Sequence, residues 1–421
     1  MTLYRLFVSI LFLPVILMLI MRSFKRQETW GQLALRLGLS SVPTDKAVPQ
    51  LWLHAASNGE LRSVLPLLDQ LRQHSSDFAV IITCNSLSGV ELAQDNGYPA
   101  QLAPLDFRWS VQKFLKSKVI SVYVMVESEI WPNRLHLLHQ ASIPCVLLGA
   151  RLSNSSARTW AWFGSVTKST LGKIKYVSAQ DAASKDRFIA LGLRPEAIGV
   201  TFNLKGLFKA KQPVLSLQQR ASICLAVSTH PKEEELILEA YKSALNSWPE
   251  LRMIIAPRHP KRAGDIITAI SAEGFECYLR SEGHAFDVNR KDVFLADTLG
   301  EMDKWYAQCG MCIIGGTFQD YGGHTPYEPA AYGCAIIHGP YVDNFRNEFD
   351  TLVASQASQN CENAQILSNA ILLLKDEATQ MQRAKKAQMA LNTSKDCEGD
   401  GIHELRENIH QILRTAKRNR P

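Results

Sequence analysis

Leu51-Trp-Leu-His-Ala-Ala-Ser-Asn-Gly-Glu60-Leu-Arg-Ser-Val-Leu-Pro-Leu-Leu-Asp-Gln-Leu71 runs from a short apolar segment through a polar turn into an amphipathic segment without a break. The apolar run is too short for an ordinary helix and ends where Ser57, Asn58 and Gly59 supply turn chemistry. Ser57 and Glu60 have the Ser-x-x-Glu spacing of a capping box, so the second run is predicted to begin there as a helix. Strand, turn and helix in that order form half of a βαβ unit, whose strand ends present working side chains.

The same alternation recurs along the chain. Candidate strands lie at 51–56, 79–84, 121–126, 144–149 and 175–179, each followed by a helix-like segment. A second series occupies 222–228, 252–257, 292–296, 311–316 and 334–338. Val-, Ile- and Leu-rich strands alternating with helices predict parallel sheets covered on both faces. The expected fold is therefore α/β, with two Rossmann-like domains facing a cleft and ligands at the carboxyl ends of the strands. The expected divisions are an N-terminal anchor at 1–26, a first domain at 27–204, a linker at 205–217, a second domain at 218–385 and a helical tail at 386–421.

Leu6 to Met21 carries no charge, and Arg22, Lys25 and Arg26 follow at once. No small-x-small cleavage site follows, and the basic residues lie on the wrong side for a secretory signal. An uncleaved anchor is expected, spanning the bilayer or dipping into one leaflet, with the rest of the chain in the cytoplasm. Deleting residues 1–21 is expected to release the chain from the membrane without disturbing its chemistry. With 46 Lys and Arg against 40 Asp and Glu, the net charge of +6 suits an anionic membrane or a phosphorylated substrate. It lacks the concentrated basic face of a nucleic-acid binder. Nine cysteines, several within apolar runs, fit free thiols in a reducing compartment, and Cys309-Gly-Met-Cys312 reads as two packed thiols.

Chemistry-bearing residues cluster at the predicted strand ends. Glu60 either completes a helix cap or takes a proton from an acceptor hydroxyl. Glu127 and Glu129 follow the strand 121–126, and Arg151 follows 144–149 as a fixed positive charge for a phosphate or carboxylate. In the second half Ser228-Thr229-His-Pro and Arg258-His259-Pro close strands and open helices, turns that bind anions through free amides and side chains. The stretch Gly315-Gly316-Thr-Phe-Gln-Asp-Tyr-Gly322-Gly323-His-Thr325-Pro-Tyr-Glu328 pairs glycines, which admit a close phosphate, with a capped helix start. It is neither a P-loop nor a dinucleotide fingerprint.

In order, WLHAASNGE, ESEIWPN, ARLSNSS, SAQDAASKDRFIALG, NLKG, STHPKEE, PRHPKR, DTLGEMDKWY, GGTFQDYGGHTPYEPA and GPYVDNF resemble the bacterial 3-deoxy-D-manno-octulosonic acid (Kdo) transferases of lipid A assembly. The resemblance implies the two-domain GT-B fold and inverting transfer of Kdo from CMP-Kdo to a lipid A precursor at the cytoplasmic face of the inner membrane, with no cofactor or bound metal. It makes Glu60 the base and places Glu127 or Glu129 beside the reacting sugars. Lys205, Arg258 and the Gly315-Gly316 and Gly322-Gly323 turns would hold the nucleotide phosphate and the Kdo carboxylate, with Glu328 near the ribose. The chain departs from the family pattern at Gly149 (usually Asn), Phe202 (Gly), Gly206 (an insertion into Phe-Asp) and Thr325 (Asn). Another GT-B transferase, a sugar-nucleotide epimerase with a different donor, and a catalytically degenerate paralogue are the alternatives.

Overall fold

A computed structural model of the chain describes residues 2–25, 28–39, 48–74, 78–210, 212–391 and 400–418. Arg26 of the expected basic flank and Cys397 lie outside the described residues. The chain forms two compact units. The first runs to Leu207 and takes back the C-terminal helix Asp400–Arg418; the second starts at Phe208.

In the first unit, β1 (Gln50–Ala55), β2 (Ala79–Cys84), β3 (Ala100–Leu102), β4 (Ile120–Val126), β5 (Cys145–Ala150) and β6 (Ile174–Ala179) form a parallel sheet in the order β3-β2-β1-β4-β5-β6. Alternate residues of β1 feed opposite cores: Leu51, Leu53 and Ala55 pack on one face, Trp52 on the other. The strand order reverses between β1 and β4, and a doubly wound sheet opens a crevice where its order reverses.

In the second unit, β7 (Ile223–Thr229), β8 (Arg252–Pro257), β9 (Cys277–Leu279), β10 (Val293–Leu295), β11 (Met311–Ile314), β12 (Ala335–His338) and β13 (Ser358–Asn360) form a parallel sheet in the order β13-β12-β11-β7-β8-β10-β9. Its reversal lies between β7 and β11.

Two terminal helices differ from the sequence expectation. Among the described residues, no helix is long and apolar enough to cross a membrane. The helix Thr2–Phe24 instead leans on the first unit. The Tyr4 hydroxyl donates to Asp106 at 2.9 Å, Phe12 packs edge-on to Phe107 at 5.1 Å, and Leu19 and Ser23 are buried. Arg22 then pairs with buried Glu28, which also takes two hydrogen bonds from Arg36. Rather than forming a separate tail, the helix Asp400–Arg418 buries Ile402, Leu405, Ile409 and Leu413 in the core of the first unit.

Candidate active site

The turn after β1 positions Glu60 at the start of the helix Asn58–His74. The capping geometry is present: the Glu60 amide donates to Ser57 Oγ at 3.2 Å, and the Ala56 amide donates to Glu60 Oε2 at 2.7 Å. The carboxyl is half-buried, and burial with the charges of Glu127 and Glu129 pushes its pKa up to about 7, against those hydrogen bonds. A carboxyl so poised can accept a proton near neutral pH, so the capping contacts do not preclude base chemistry at this side chain.

Glu127 and Glu129 come from the turn after β4, directly across the sheet reversal. Glu127 holds φ 54, a left-handed conformation that is unfavourable for a side chain of this kind and recurs at working sites. Its carboxylate pairs with Lys205 Nζ at 3.1 Å. Glu129 Oε2 accepts from Trp131 Nε1 at 2.8 Å and lies 3.1 Å from His54 Nε2. Burial pushes Glu129 up, but those contacts and the charge of Arg134 outweigh it and leave the carboxyl below its ordinary value. Beneath them, Arg134 is buried under the rings of Trp52, Tyr123 and Trp131, and Asp106 accepts from the Asn133 and Arg134 amides at 3.0 and 2.8 Å. Arg151 is half-buried, between β5 and the helix Asn154–Trp162.

The second unit gathers a different set at its own reversal. Ser228 holds φ 55 at a register shift at the end of β7. The His230 and His324 Nε2 atoms lie 2.9 Å apart, and Tyr321 stacks on His230 at 4.1 Å. Burial, then the charges of His230, Arg258 and His259, push His324 down to about 4, so one neutral ring donates to the other. Arg258 and His259 are exposed, and the Arg258 side chain makes no hydrogen bond or ion pair among the described residues.

Several expected donor contacts are already occupied. The Gly316 and Phe318 amides donate to buried Glu233 at 2.7 and 2.9 Å, so the Gly315-Gly316 turn holds a carboxylate of the chain itself. Gly315 is there because a side chain would strike the Ser228 carbonyl oxygen 2.5 Å from its Cβ. Thr229 Oγ1 donates to Glu234, which also takes Arg262. The Gly323 amide donates to Gly316 O at 2.7 Å, and Gly322 holds φ 79 beside Asn344. The helix expected from Thr325 is only the segment Tyr327–Ala331, with no side-chain cap. Glu328 accepts from Tyr306 at 3.4 Å. Lys205, expected with the donor group, belongs to the first unit through its bond to Glu127.

Sequence reasoning passed over His54, Thr83, Trp131, His230, Glu233 and His324. A lone His inside an apolar strand reads as core, and only the pairing of β1 with β2 brings Thr83 to it. Among the described residues no three His, Cys, Asp or Glu side chains are grouped to hold a metal ion.

Residues 31–207 match the family model described as 3-deoxy-D-manno-octulosonic-acid transferase (kdotransferase). The 3-deoxy-D-manno-octulosonic acid transferase of Haemophilus influenzae is 29% identical over 405 residues, 93% of this chain and 91% of that protein. Along most of its length the chain is similar to the 3-deoxy-D-manno-octulosonic acid transferases. It is thus a glycosyltransferase. The C-terminal CMP-Kdo binding domain of WaaA from Acinetobacter baumannii is 31% identical, covering 42% of this chain and 91% of that domain, with a TM-score of 0.38. The UDP-GlcNAc 2-epimerase of Neisseria meningitidis shares the fold at 12% identity, covering 87% of this chain and all of that one, with a TM-score of 0.58.

Proposed function

We propose that this transferase moves Kdo from CMP-Kdo to a lipid A precursor with inversion, and that Glu60 is the general base. The observation that carries the reading is the Glu60 carboxyl, pushed up to about 7 beside Glu127 and Glu129 at the reversal of the first sheet. The acceptor hydroxyl gives its proton to Glu60. The hydroxyl oxygen then bonds to the anomeric carbon of Kdo as the bond from that carbon to the CMP phosphate oxygen breaks. The electron pair leaves on the phosphate, where Arg258 and the His230–His324 pair supply positive and donor character, with Ser228 and His259 beside them. Glu129 orients the acceptor, Arg151 meets an anionic group of it, and Glu328 serves the nucleotide ribose.

The acceptor's lipid nature fits the helix Thr2–Phe24 as a one-leaflet attachment on the cytoplasmic face of the bacterial inner membrane. Its undocked side exposes Ile10, Leu13, Leu17, Met21 and Phe24, with Arg22 and Lys25 at its end. An apolar face beside basic residues suits an anionic bilayer surface.

Glu60→Gln keeps an oxygen for the Ala56 amide but cannot take a proton. Transfer from CMP-Kdo, followed by CMP release and product mass, should fall by about 10²–10⁴-fold, the worth of a positioned base. Near-normal turnover would return Glu60 to a cap and place the base elsewhere.

A further inference from the structure

Behind the carboxylates lies a line of buried polar groups that the transfer chemistry does not use. Trp52 Nε1 can only donate, and it meets Thr83 Oγ1 at 2.8 Å. The Thr83 hydroxyl therefore has its proton left to give, either to His54 Nδ1 at 3.1 Å or to the Leu53 carbonyl at 3.4 Å. His54 is wholly buried on β1, with Nε2 facing Glu129 Oε2 at 3.1 Å. That oxygen already accepts from Trp131, so it presents lone pairs to His54, and Nε2 must carry the hydrogen. A neutral ring with Nε2–H has a bare Nδ1. The Thr83 backbone oxygen, 3.0 Å from Nδ1, can only accept and would repel it. Among the described residues, the hydroxyl is the one donor that stabilises this tautomer.

We propose that Thr83 and His54 are positioning residues: Thr83 selects the His54 tautomer that donates to Glu129, and His54 thereby keeps Glu129 a fixed, ionised acceptor.

The surrounding charges agree. Facing Glu129 are His54 from β1, Arg134 from the helix Pro132–Gln140 and Glu60 from the helix Asn58–His74, while Glu127 on its own turn is paired with Lys205. Burial, then the charge of Arg134, hold His54 down to about 4, so the ring is neutral across the physiological range. Glu129 is in turn one of the two charges that raise Glu60. The chain of donors from Trp52 to Glu129 therefore sets the pH at which the base becomes available. That consequence rests on the Glu60 reading; the tautomer does not.

Replacing Thr83 by Val removes the hydroxyl and keeps the branched shape. His54 Nδ1 then gains by donating to the residue 83 carbonyl. The ring proton exchanges through solvent from Nε2 to Nδ1, and the bare Nε2 faces Glu129, which takes a proton from water or turns away. The test is nitrogen NMR of full-length protein in detergent with ¹⁵N-labelled histidine and no substrate, the His54 signals being assigned by their loss in His54→Gln. Wild type and Thr83→Ser should show the Nε2–H form, Thr83→Val and Thr83→Ala the Nδ1–H form. Turnover of Thr83→Val should fall by about tenfold or more, the worth of a hydrogen bond to a charged group, with the KM for CMP-Kdo unchanged. The acidic limb of its pH profile should shift to lower pH, and Thr83→Ser should restore both. An Nε2–H ring in Thr83→Val and Thr83→Ala overturns the proposal. A flipped ring alongside an active Glu60→Gln would keep the tautomer assignment and reject the base.

Discussion

At Glu60 one carboxylate ends a capping box and lies beside two other carboxylates, and these surroundings oppose each other. The amide of Ala56 favours the charged form, whereas burial, Glu127 and Glu129 disfavour it more strongly. Its folded pKa of about 7 lies above the ordinary 4.5, so the protonated group favours the native state, and that contribution is lost as pH rises from about 4.5 through about 7. The difference corresponds to about 3 kcal/mol. Glu60→Gln, which cannot ionise, should therefore melt at a higher temperature than wild type at pH 8 and at the same temperature below pH ~4. Calorimetric scans at the two pH values check this, and equal melting at pH 8 would mean the site does not raise Glu60. A stability gain with an activity loss marks a residue held in an unfavourable site for its chemistry. The capping spacing of Ser57 and Glu60 was legible in the sequence. The duty of His54 was not, because it depends on Thr83 from β2 and Glu129 from the turn after β4, contacts between strands far apart in the chain.

The strands that the sequence showed plainly are those with long apolar runs. β3, β9 and β13 have three residues each at or near sheet edges, too few for a period of two to declare itself. The C-terminal helix read as a separate helical tail, although Ile402, Leu405, Ile409 and Leu413 recur at the spacing of one helical face. The N-terminal helix is the larger lesson, since an apolar segment gives no sign that one side of it docks on protein. Asp106 is buried, with its pKa pushed up to about 6 by that burial, and it relies on Tyr4 as well as on the amides of Asn133 and Arg134. Tyr4→Phe should destabilise the first unit by about 1.5–3 kcal/mol at pH 7.5, the worth of a hydrogen bond to a charged group. Deleting residues 1–21 should cost more, because it also uncovers Phe107, and should lower turnover on detergent-dispersed acceptor. Denaturant melts of both variants decide this; an unshifted midpoint in each would restore a detachable anchor. The opposite side of the helix carries a separate expectation. Leu13→Glu with Leu17→Glu alters positions that are 62% and 50% exposed, so folding should be unchanged. Flotation with vesicles containing anionic lipid should drop by about tenfold or more as apolar contact with the bilayer is lost. Undiminished flotation would move the attachment elsewhere on the chain.

Across the whole molecule, each sheet switches its strand order beside its first strand, and each switch carries a non-glycine residue in the left-handed region: Glu127 in the first unit and Ser228 in the second. Such a residue costs about 1–2 kcal/mol, and the two costs fall beside the two groups of polar side chains. The departures from the family pattern mostly have physical accounts. Gly149 holds φ 58, a conformation that Asn also tolerates, so Gly and Asn meet the same backbone demand. Phe202 packs against the core of the first unit, with Gly401 of the C-terminal helix leaving room for its ring. Thr325 still accepts a hydrogen bond from the Tyr327 amide at 3.4 Å. Nothing in the structure explains Gly206. Donor recognition is then a question for the second unit. With the Gly316 and Phe318 amides given to Glu233, the proposed CMP phosphate is expected to draw on side chains, and exposed Arg258 is the strongest donor with no internal hydrogen bond or ion pair among the described residues. Its planar fork matches an oxyanion in two-point contact. Arg258→Ala should weaken CMP binding by about 1.5–3 kcal/mol. Glu60→Gln, in the other compact unit, should leave it unchanged. Titration calorimetry with CMP, UMP and GMP on wild type and both variants separates the outcomes. Equal affinity for the three nucleotides, or tighter UMP, would reject CMP-Kdo as donor. An Arg258→Ala variant that binds CMP normally would shift the phosphate onto the His230–His324 pair, whose neutral rings can share one hydrogen but bring no fixed charge.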